Sequence, residues 1–462
     1  MNLAGEWEKR VSISRGLMLF GLAVLFILST VMNLPLDKLL VGLTVILILY
    51  SLPFMAFFPK IMTIALFSVG HLVFFTQNLS VSYWQAGLIE NLPLVALFVS
   101  VPLFAYPLQN GGYVEYVSRL VHRFLKTPFK IFSNIVILTS SLSTFMNLGS
   151  VRISFELFKE DIQRDPKFYT RAISQGFSLA MCWSPYFAGV AIVLNMLNLP
   201  IFPFIFWGLL LMISGTLVAI LLVSKEAKIP LPQVEAAVTK EPQDKGASSW
   251  KKAIELLIVF VGMFASIFIF ERMFDINLII LISVIAFIYP LLWAVLIKRT
   301  KEFVQSLGHY KDDILPRIHN EAILFIAAAF FAQMVQMTDV SIMISDFFTY
   351  LNSLSPFLVI FITILVIVVL GVVGIHQILT VSLIGASISL TDLAISIEAL
   401  GLALIAGWSL STAVSPVAAL NLTLGNLLSR SPIKIGMWNA PYVLLASVIL
   451  SFLIFGINAL TL

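Results

Sequence analysis

Two Ser-Pro dipeptides stand inside otherwise apolar runs, Ser184-Pro185 in "CWSPYFAGV" and Ser415-Pro416 in "AVSPVAALN". Proline lacks a backbone donor and breaks the helical ladder, which in a bilayer strands carbonyl groups without partners. A break of this kind is tolerated where the freed groups are buried in protein or line a wet cavity. Upstream of each dipeptide, at nearly the same distance, a second apolar run is interrupted. The first interruption is "SSLSTFMNLGS", with Ser143, Thr144, Asn147 and Gly149. The second is "GVVGIHQILT", with Gly371, Gly374, His376, Gln377 and Thr380. Each interrupted run is predicted to be a hairpin that enters the membrane and returns to its own side. Amides at such a tip and at the start of its returning helix favour an anion through the helix dipole. Carbonyl, Ser, Thr and Asn oxygens at the same place suit Na⁺.

The candidate substrate-binding residues are therefore Ser143, Thr144, Asn147, Arg152, Ser184, Pro185, His376, Gln377, Thr380, Ser415, Pro416 and Asn421. The candidate coupling-ion residues are Ser143, Asn147, Gly149, Gly374, Thr380 and Ser415. Gly149, Gly371 and Gly374 are expected to permit tight backbone turns. Arg152, just past the first tip, carries a guanidinium that is costly at membrane depth unless paired or wet. A forked grip on a carboxylate or oxyanion would offset that cost. The competing expectations are an ion pair with Glu156, one helical turn on, or snorkelling to the interface. His376 at the second tip is expected either to meet substrate or a proton, or to hold the turn through a backbone hydrogen bond. Glu90, Glu321 and Asp339 lie near predicted helix ends, where solvated acids are the default. His71 lies away from the repeated elements and is expected to pack.

The elements that must position these residues are membrane helices. The 462-residue chain is 60% hydrophobic and only 11% charged, against about 25% charged for a soluble domain. Many runs reach the roughly 20 apolar residues that cross a bilayer. The fold class is thus an all-α polytopic membrane protein of about 11 transmembrane helices plus two re-entrant hairpins. The helices are predicted near 16–33, 39–58, 61–77, 83–107, 170–196, 202–224, 253–271, 277–297, 320–338, 396–427 and 437–460, with hairpins at 129–160 and 355–391. "GGYVEYVSRLVHRFLK", Gly111–Lys126, and "SIMISDFFTYL", Ser341–Leu351, read as amphipathic helices along the interface. Residues 225–252 read as a cytoplasmic linker. Met1–Arg15 is charged and polar, and no cleavable leader is expected. Cys182 is the single cysteine, which excludes an internal disulfide.

The basic residues orient this layout. With a cytoplasmic N-terminus and hairpins that return to their own side, 25 of the 28 Lys and Arg residues fall inside, and the C-terminus lies outside. Lys38 and Arg272 fall outside, and Arg152 lies at membrane depth. The two Ser-Pro sites are 231 residues apart, and the hairpins precede them at nearly the same distance, so that a slide of 230 places Asn147 over Gln377 and Ser150 over Thr380. In this orientation the halves run oppositely. The organisation read from the chain is an N-terminal segment with helix 1 (1–36), a first inverted repeat (37–224), the linker, and a second inverted repeat (253–462). Broken helices in matching positions of two repeats point to the binding site of a secondary transporter.

At these residues the chain resembles the ion transporter superfamily, in particular the divalent anion/sodium symporters and arsenite-permease-like proteins. The segments that carry the resemblance are "ILTSSLSTFMNLGSV", "WSPYFAGVAIVL", "AAAFFAQMVQMTDVSIMISDFF", "VVLGVVGIHQILTVSLIGAS" and "STAVSPVAALNLTLGNL". Members of the anion/sodium type carry Ser-Asn-Thr at both tips, where this chain has Ser143, Thr144 and Asn147, and Gly374-Ile375-His376-Gln377 with Thr380. The resemblance implies a homodimer with a fixed scaffold and a transport domain that moves as an elevator.

The expected function is secondary active transport of a small anion, di- or tricarboxylate-like or an inorganic oxyanion, coupled to Na⁺ or H⁺ across the cytoplasmic membrane. Alternatives are an arsenite-type or cation/proton exchanger, and a membrane binding or assembly protein without transport. No pair of intramembrane Asp residues supports the exchanger. Gly-x-Ser-x-Gly, His-Glu-x-x-His and Walker motifs are missing, so the chain is not read as an enzyme. No cofactor beyond Na⁺ and no nucleic-acid partner is expected; the lipid bilayer is.

Overall fold

A computed structural model describes residues 3–116, 127–226, 247–274, 276–388 and 393–462. The described residues form helices and no strand. Eleven helical segments among them are long and apolar enough to cross a membrane, or up to twelve if a bent pair at 300–335 is counted as one span. The chain is a multi-pass membrane protein. The interfacial helix predicted at Gly111–Lys126 falls partly, and the linker mostly, on residues outside those described.

The N-terminal part comprises α1 (Leu3–Val31), α2 (Asp37–Ser51) and α3 (Phe57–Thr76). The single helix predicted at 83–107 is instead α4 (Val81–Ile89), α5 (Leu92–Ser100) and α6 (Ala105–Asn110), with a break at Glu90-Asn91 and a 3₁₀ turn at Val101–Phe104. Pro93 and Pro102 explain the segmentation, since each removes a ladder donor at the start of a new piece.

The first hairpin is α7 (Pro128–Met146) and α8 (Leu148–Leu157), followed by the short α9 (Lys159–Arg164). The first broken helix is α10 (Pro166–Ala180) and α11 (Ala188–Met196), and α12 (Ile201–Glu226) closes the unit. Next come α13 (Ala247–Met273), α14 (Leu278–Leu296), α15 (Thr300–His309) and α16 (His319–Val335). The predicted interfacial helix at 341–351 is α17 (Asp339–Leu354). The second hairpin is α18 (Pro356–Val373) and α19 (Gln377–Ser387), the second broken helix α20 (Ile397–Val414) and α21 (Ala419–Leu428), and the closing helix α22 (Pro432–Thr461). The order hairpin, broken helix, closing helix therefore occurs twice.

The returning arms α8 and α19 have 10 and 11 residues. At 1.5 Å per residue they reach about 15 Å, half of a ~30 Å hydrocarbon core. The first arms α7 and α18, of 19 and 18 residues, are by contrast long and apolar enough to cross. Ser and Thr hydroxyls tie the first hairpin together, Thr139 Oγ1 donating to Ser154 Oγ at 3.0 Å and Ser143 meeting Ser150 at 2.6 Å.

The packing of the two units repeats at the same interval as the dipeptides. Gly176 of α10 lies tight against Val136 and Thr139 of α7. At 231 residues further on, Gly407 of α20 lies tight against Ile364 and Ile367 of α18. Ile367 is Val136 displaced by the same 231. On the closing helices, a Cβ at Gly208 would strike the Cys182 carbonyl, and one at Gly436 the Val414 carbonyl. Only glycine lets α12 and α22 approach the two breaks so closely. Ser409 Oγ donates to the Ser178 carbonyl at 2.6 Å, and these two positions are also 231 apart. A residue that touches its own counterpart marks the place where the two units meet face to face.

Two hydrophobic clusters follow from this arrangement. The larger runs through both hairpins, both broken helices and the closing helices. The smaller gathers α1, α2, α4–α6, part of α14 and the inner face of α16.

Candidate functional site

The two helix breaks differ in how they replace the bonds that proline removes. In an unbroken helix the amide of residue 416 would bond the Thr412 carbonyl, and Pro416 has no amide hydrogen. The Asn421 side chain takes over: its Nδ2 lies 3.3 Å from the Thr412 carbonyl, 3.2 Å from that of Ala413 and 2.9 Å from that of Ser415. Asn421 is fully buried and holds the second break open. At the repeat-related position stands Val190, which has no such capacity. The first break is correspondingly longer, with turns over 181–187 between α10 and α11.

Ser184 and Ser415 are both fully buried, and neither hydroxyl has a hydrogen-bond partner. The Asn421 Oδ1 is likewise buried without one. Buried polar atoms are normally satisfied, so three unmet oxygens at two matching breaks call for an explanation.

The hairpin tips approach these breaks. At the second tip Gly374 takes a left-handed conformation, φ +101°, and Val417 of the second break lies against it. Gln377, the first residue of α19 and 2% exposed, donates from Nε2 to Ser411 Oγ at 3.1 Å, one turn before Ser415. His376 caps α19, its Nδ1 accepting from the Ile378 amide at 3.3 Å. The backbone-holding role among the two expectations for His376 is therefore present in the structure. With Nδ1 as acceptor, the neutral ring carries its proton on Nε2. Its ring faces Phe325 and Trp408 edge-on, with centroids 6.0 and 6.5 Å away. Thr380 is buried one turn into α19.

At the first tip the turn is made by Asn147, φ +46°, and not by Gly149, which lies within α8. Gly371 is also helical, and a Cβ there would strike Ser411 Oγ. Of the three glycines expected to make turns, only Gly374 does so. Asparagine tolerates the left-handed region better than other non-glycine residues, which accounts for the first tip. Ser143 donates to the Thr139 carbonyl at 2.5 Å, Thr144 to that of Ser140 at 3.2 Å, and Ser150 to that of Asn147 at 2.6 Å. These hydroxyl protons are spent inside the hairpin, leaving only lone pairs for a ligand. Phe145 beside this tip and Trp183 in the first break both pack on the Phe260 ring, at 5.7 and 5.9 Å.

Arg152 is exposed on α8. Glu156, its expected partner, is exposed and pairs instead with Lys159 at 3.2 Å. The first tip and break are therefore not joined by an Arg152 contact among the described residues. Arg152→Gln is expected to change the apparent affinity for a bound anion by less than about twofold, since an exposed charge contributes little; isothermal titration of the two proteins decides this.

Sequence reading passed over a polar bridge between the units. Asn439 of α22 places Nδ2 3.1 Å from Ser174 Oγ and 3.3 Å from the Ala413 carbonyl, and its Oδ1 accepts from Gln175 Nε2 at 3.1 Å. Gln175 and Asn439 are fully buried. Their signal was a carboxamide alone in a membrane-length run, which is costly unless paired. No cluster of His, Cys, Asp or Glu suited to a metal ion occurs among the described residues.

No family model and no curated protein matches the chain. Its structure is similar to that of the Alcanivorax borkumensis YdaH transporter, described as having an unusual topology, at 13% identity over 80% of this chain and 86% of that one, with a TM-score of 0.52. The likeness is one of fold.

Proposed function

We propose that the chain is a secondary active transporter of a small anion, working as an elevator and coupled to Na⁺ or H⁺. The observation that carries the reading is the pair of fully buried, unpartnered hydroxyls of Ser184 and Ser415 at matching helix breaks. They supply hydrogen bonds to a solute or oxygens to Na⁺ where no protein group uses them. The two hairpins support it, because the starts of α8 and α19 carry the positive ends of helix dipoles, which favour negative charge. In the orientation set by the basic residues, α10 and α20 run in opposite directions, as inverted repeats require. The division of the core supports a mobile unit built on the hairpins and broken helices, with α1, α2, α4 and the inner face of α16 in the scaffold. Partner copies in a homodimer would brace that scaffold in the cytoplasmic membrane.

Arg152 is left out of the proposed grip because it is exposed. The anion is then held by backbone amides, Asn147, Gln377, Thr380 and the two serines, without a formal countercharge. Such a site suits a singly charged solute, or a more highly charged one accompanied by Na⁺.

The test has two steps. Thermal shifts of the purified chain in carboxylates and oxyanions, with and without Na⁺, are expected to show a rise in melting temperature by mass action. Proteoliposomes carrying the bound anion should then accumulate it against a gradient when a Na⁺ or H⁺ gradient is imposed. Binding without gradient-driven accumulation would favour the assembly-protein alternative. Na⁺/H⁺ exchange without any anion flux would favour the exchanger.

A further inference from the structure

A cavity of about 370 Å³ opens between the two clusters of the core. The α4–α5 break, α14 and α16 wall it on one side, and α11 and α19 on the other. Its polar lining is Glu90, Asn91, Asn195, Gln333, Gln336 and Ser382. None of these was placed in the site at the tips and breaks. The volume lies within the range of roughly 300–1,000 Å³ typical of small-molecule sites.

The sign of this lining can be worked out atom by atom. Glu90 sits within the Val81–Asn110 span and is exposed. At 1.5 Å per residue it lies about 14 Å along that span, where a charge is expensive unless wet or paired. Among the described residues it has no basic partner, and no basic side chain lines the cavity. Asn91 commits its Nδ2 to the Phe325 carbonyl at 2.9 Å. Gln336 commits its Nε2 to the Ala386 carbonyl at 3.3 Å. In both carboxamides one N–H is tied to backbone and the oxygen is free to accept. The Gln333 Oε1 is buried without a hydrogen-bond partner against Gly87 of α4, and so is closed off from the cavity. Asn195 Oδ1 accepts from Asn277 Nδ2, leaving its own NH₂ free. The cavity therefore offers one carboxylate and the carboxamide oxygens of Asn91 and Gln336 as acceptors.

We infer that this cavity is a binding site for a small organic ammonium, with Glu90 as its counter-charge and the oxygens of Asn91 and Gln336 as acceptors. A lining with a carboxylate and no basic side chain leaves a bound carboxylate without a counter-charge and repels it, whereas an ammonium brings three donors on a compact charge. The helix starts at the hairpin tips have the opposite preference, so this is a second recognition surface. It bridges the two core clusters, since Gln336 of α16 reaches across to α19. The inference concerns equilibrium binding and stands whether or not the chain transports an anion.

The experiment uses the full chain in lipid nanodiscs and ethylammonium chloride as probe, with NaCl at matched ionic strength as reference. Ethylammonium is expected to raise the melting temperature above the NaCl value, and the extra rise should vanish in Glu90→Gln. Gln336→Leu, which keeps the carboxylate but removes a cavity oxygen, is expected to weaken ethylammonium binding about tenfold. Identical curves in NaCl and ethylammonium would overturn the inference, as would a full ethylammonium shift in Glu90→Gln. Should Glu90→Gln fail to fold, unchanged affinity in Gln336→Leu overturns it alone.

Discussion

Asn421→Leu is expected to destabilise the protein by about 3 kcal/mol, read as a lower melting temperature and a smaller yield of monodisperse protein. Leucine has a similar volume, so the loss comes from the hydrogen bonds. Single interhelical bonds in membranes are worth only ~0.6–1.7 kcal/mol, because the unfolded chain finds other partners. Asn421 differs in serving the break itself. Thr412 lost its ladder donor to Pro416, and its carbonyl now depends on Nδ2 at 3.3 Å. The Ser415 carbonyl is the nearest acceptor, at 2.9 Å. Ala413 keeps a second donor in Asn439, at 3.3 Å. Ser415 keeps the Ala418 amide at 3.3 Å, so the Thr412 carbonyl is the one left without a donor in a fully buried place, at roughly 1–3 kcal/mol, to which the lost bonds to Ala413 and Ser415 add. A melting temperature within a degree of wild type would show that the break does not rely on this side chain. Double replacement with Pro416→Ala should recover much of the loss, since an alanine amide can restore the ladder.

Ser184→Ala and Ser415→Ala are expected to behave in the opposite way. Each hydroxyl is buried without a partner, so its removal breaks no bond within the protein. Replacing an unsatisfied buried polar group by a methyl is neutral or mildly stabilising. The melting temperature without ligand should stay the same or rise slightly. If the hydroxyls serve a charged solute or ion, each loss costs about 1.5–3 kcal/mol of binding, or roughly 10–100-fold in affinity or uptake. Unchanged binding in both variants would remove these serines from the proposed site. The contrast with Asn421 is one of bonding: the Asn421 side chain serves three backbone carbonyls, and the two serine hydroxyls serve none.

Much of this architecture was legible in the chain. The apolar runs, the two interrupted hairpins and the two breaks follow from hydropathy and proline alone, because a bilayer forces backbone satisfaction into helices and penalises every interruption. The second hairpin tip was found at Gly374 for the reason that makes glycine useful, its access to left-handed backbone. At the first tip Asn147 was among the expected residues, but the turn was expected at Gly149. Asn147 makes the turn, and an asparagine in "MNLGS" is not distinguishable from its glycine neighbour without the backbone. The segment at 83–107 read as one helix because its composition is largely apolar, although Pro93 and Pro102 had marked the pieces of what is one membrane-length span, Val81–Asn110.

The chain by itself determined a membrane protein with two matched sets of broken elements, since composition and spacing are properties of the sequence and the bilayer thickness is fixed. Only tertiary structure decided which polar residues are free to act. Arg152 and Glu156 look like a buried pair by spacing, yet both are exposed because of the face of α8 on which they lie. Ser143, Thr144 and Asn421 look like ligand groups, yet their donors are taken up by nearby carbonyls. Ser184 and Ser415 have the same residue type and remain unpartnered, because the chain around each break turns its carbonyls elsewhere. Hydrogen bonding is a matter of ångströms and angles across segments distant in sequence, and that information exists only once the helices have packed.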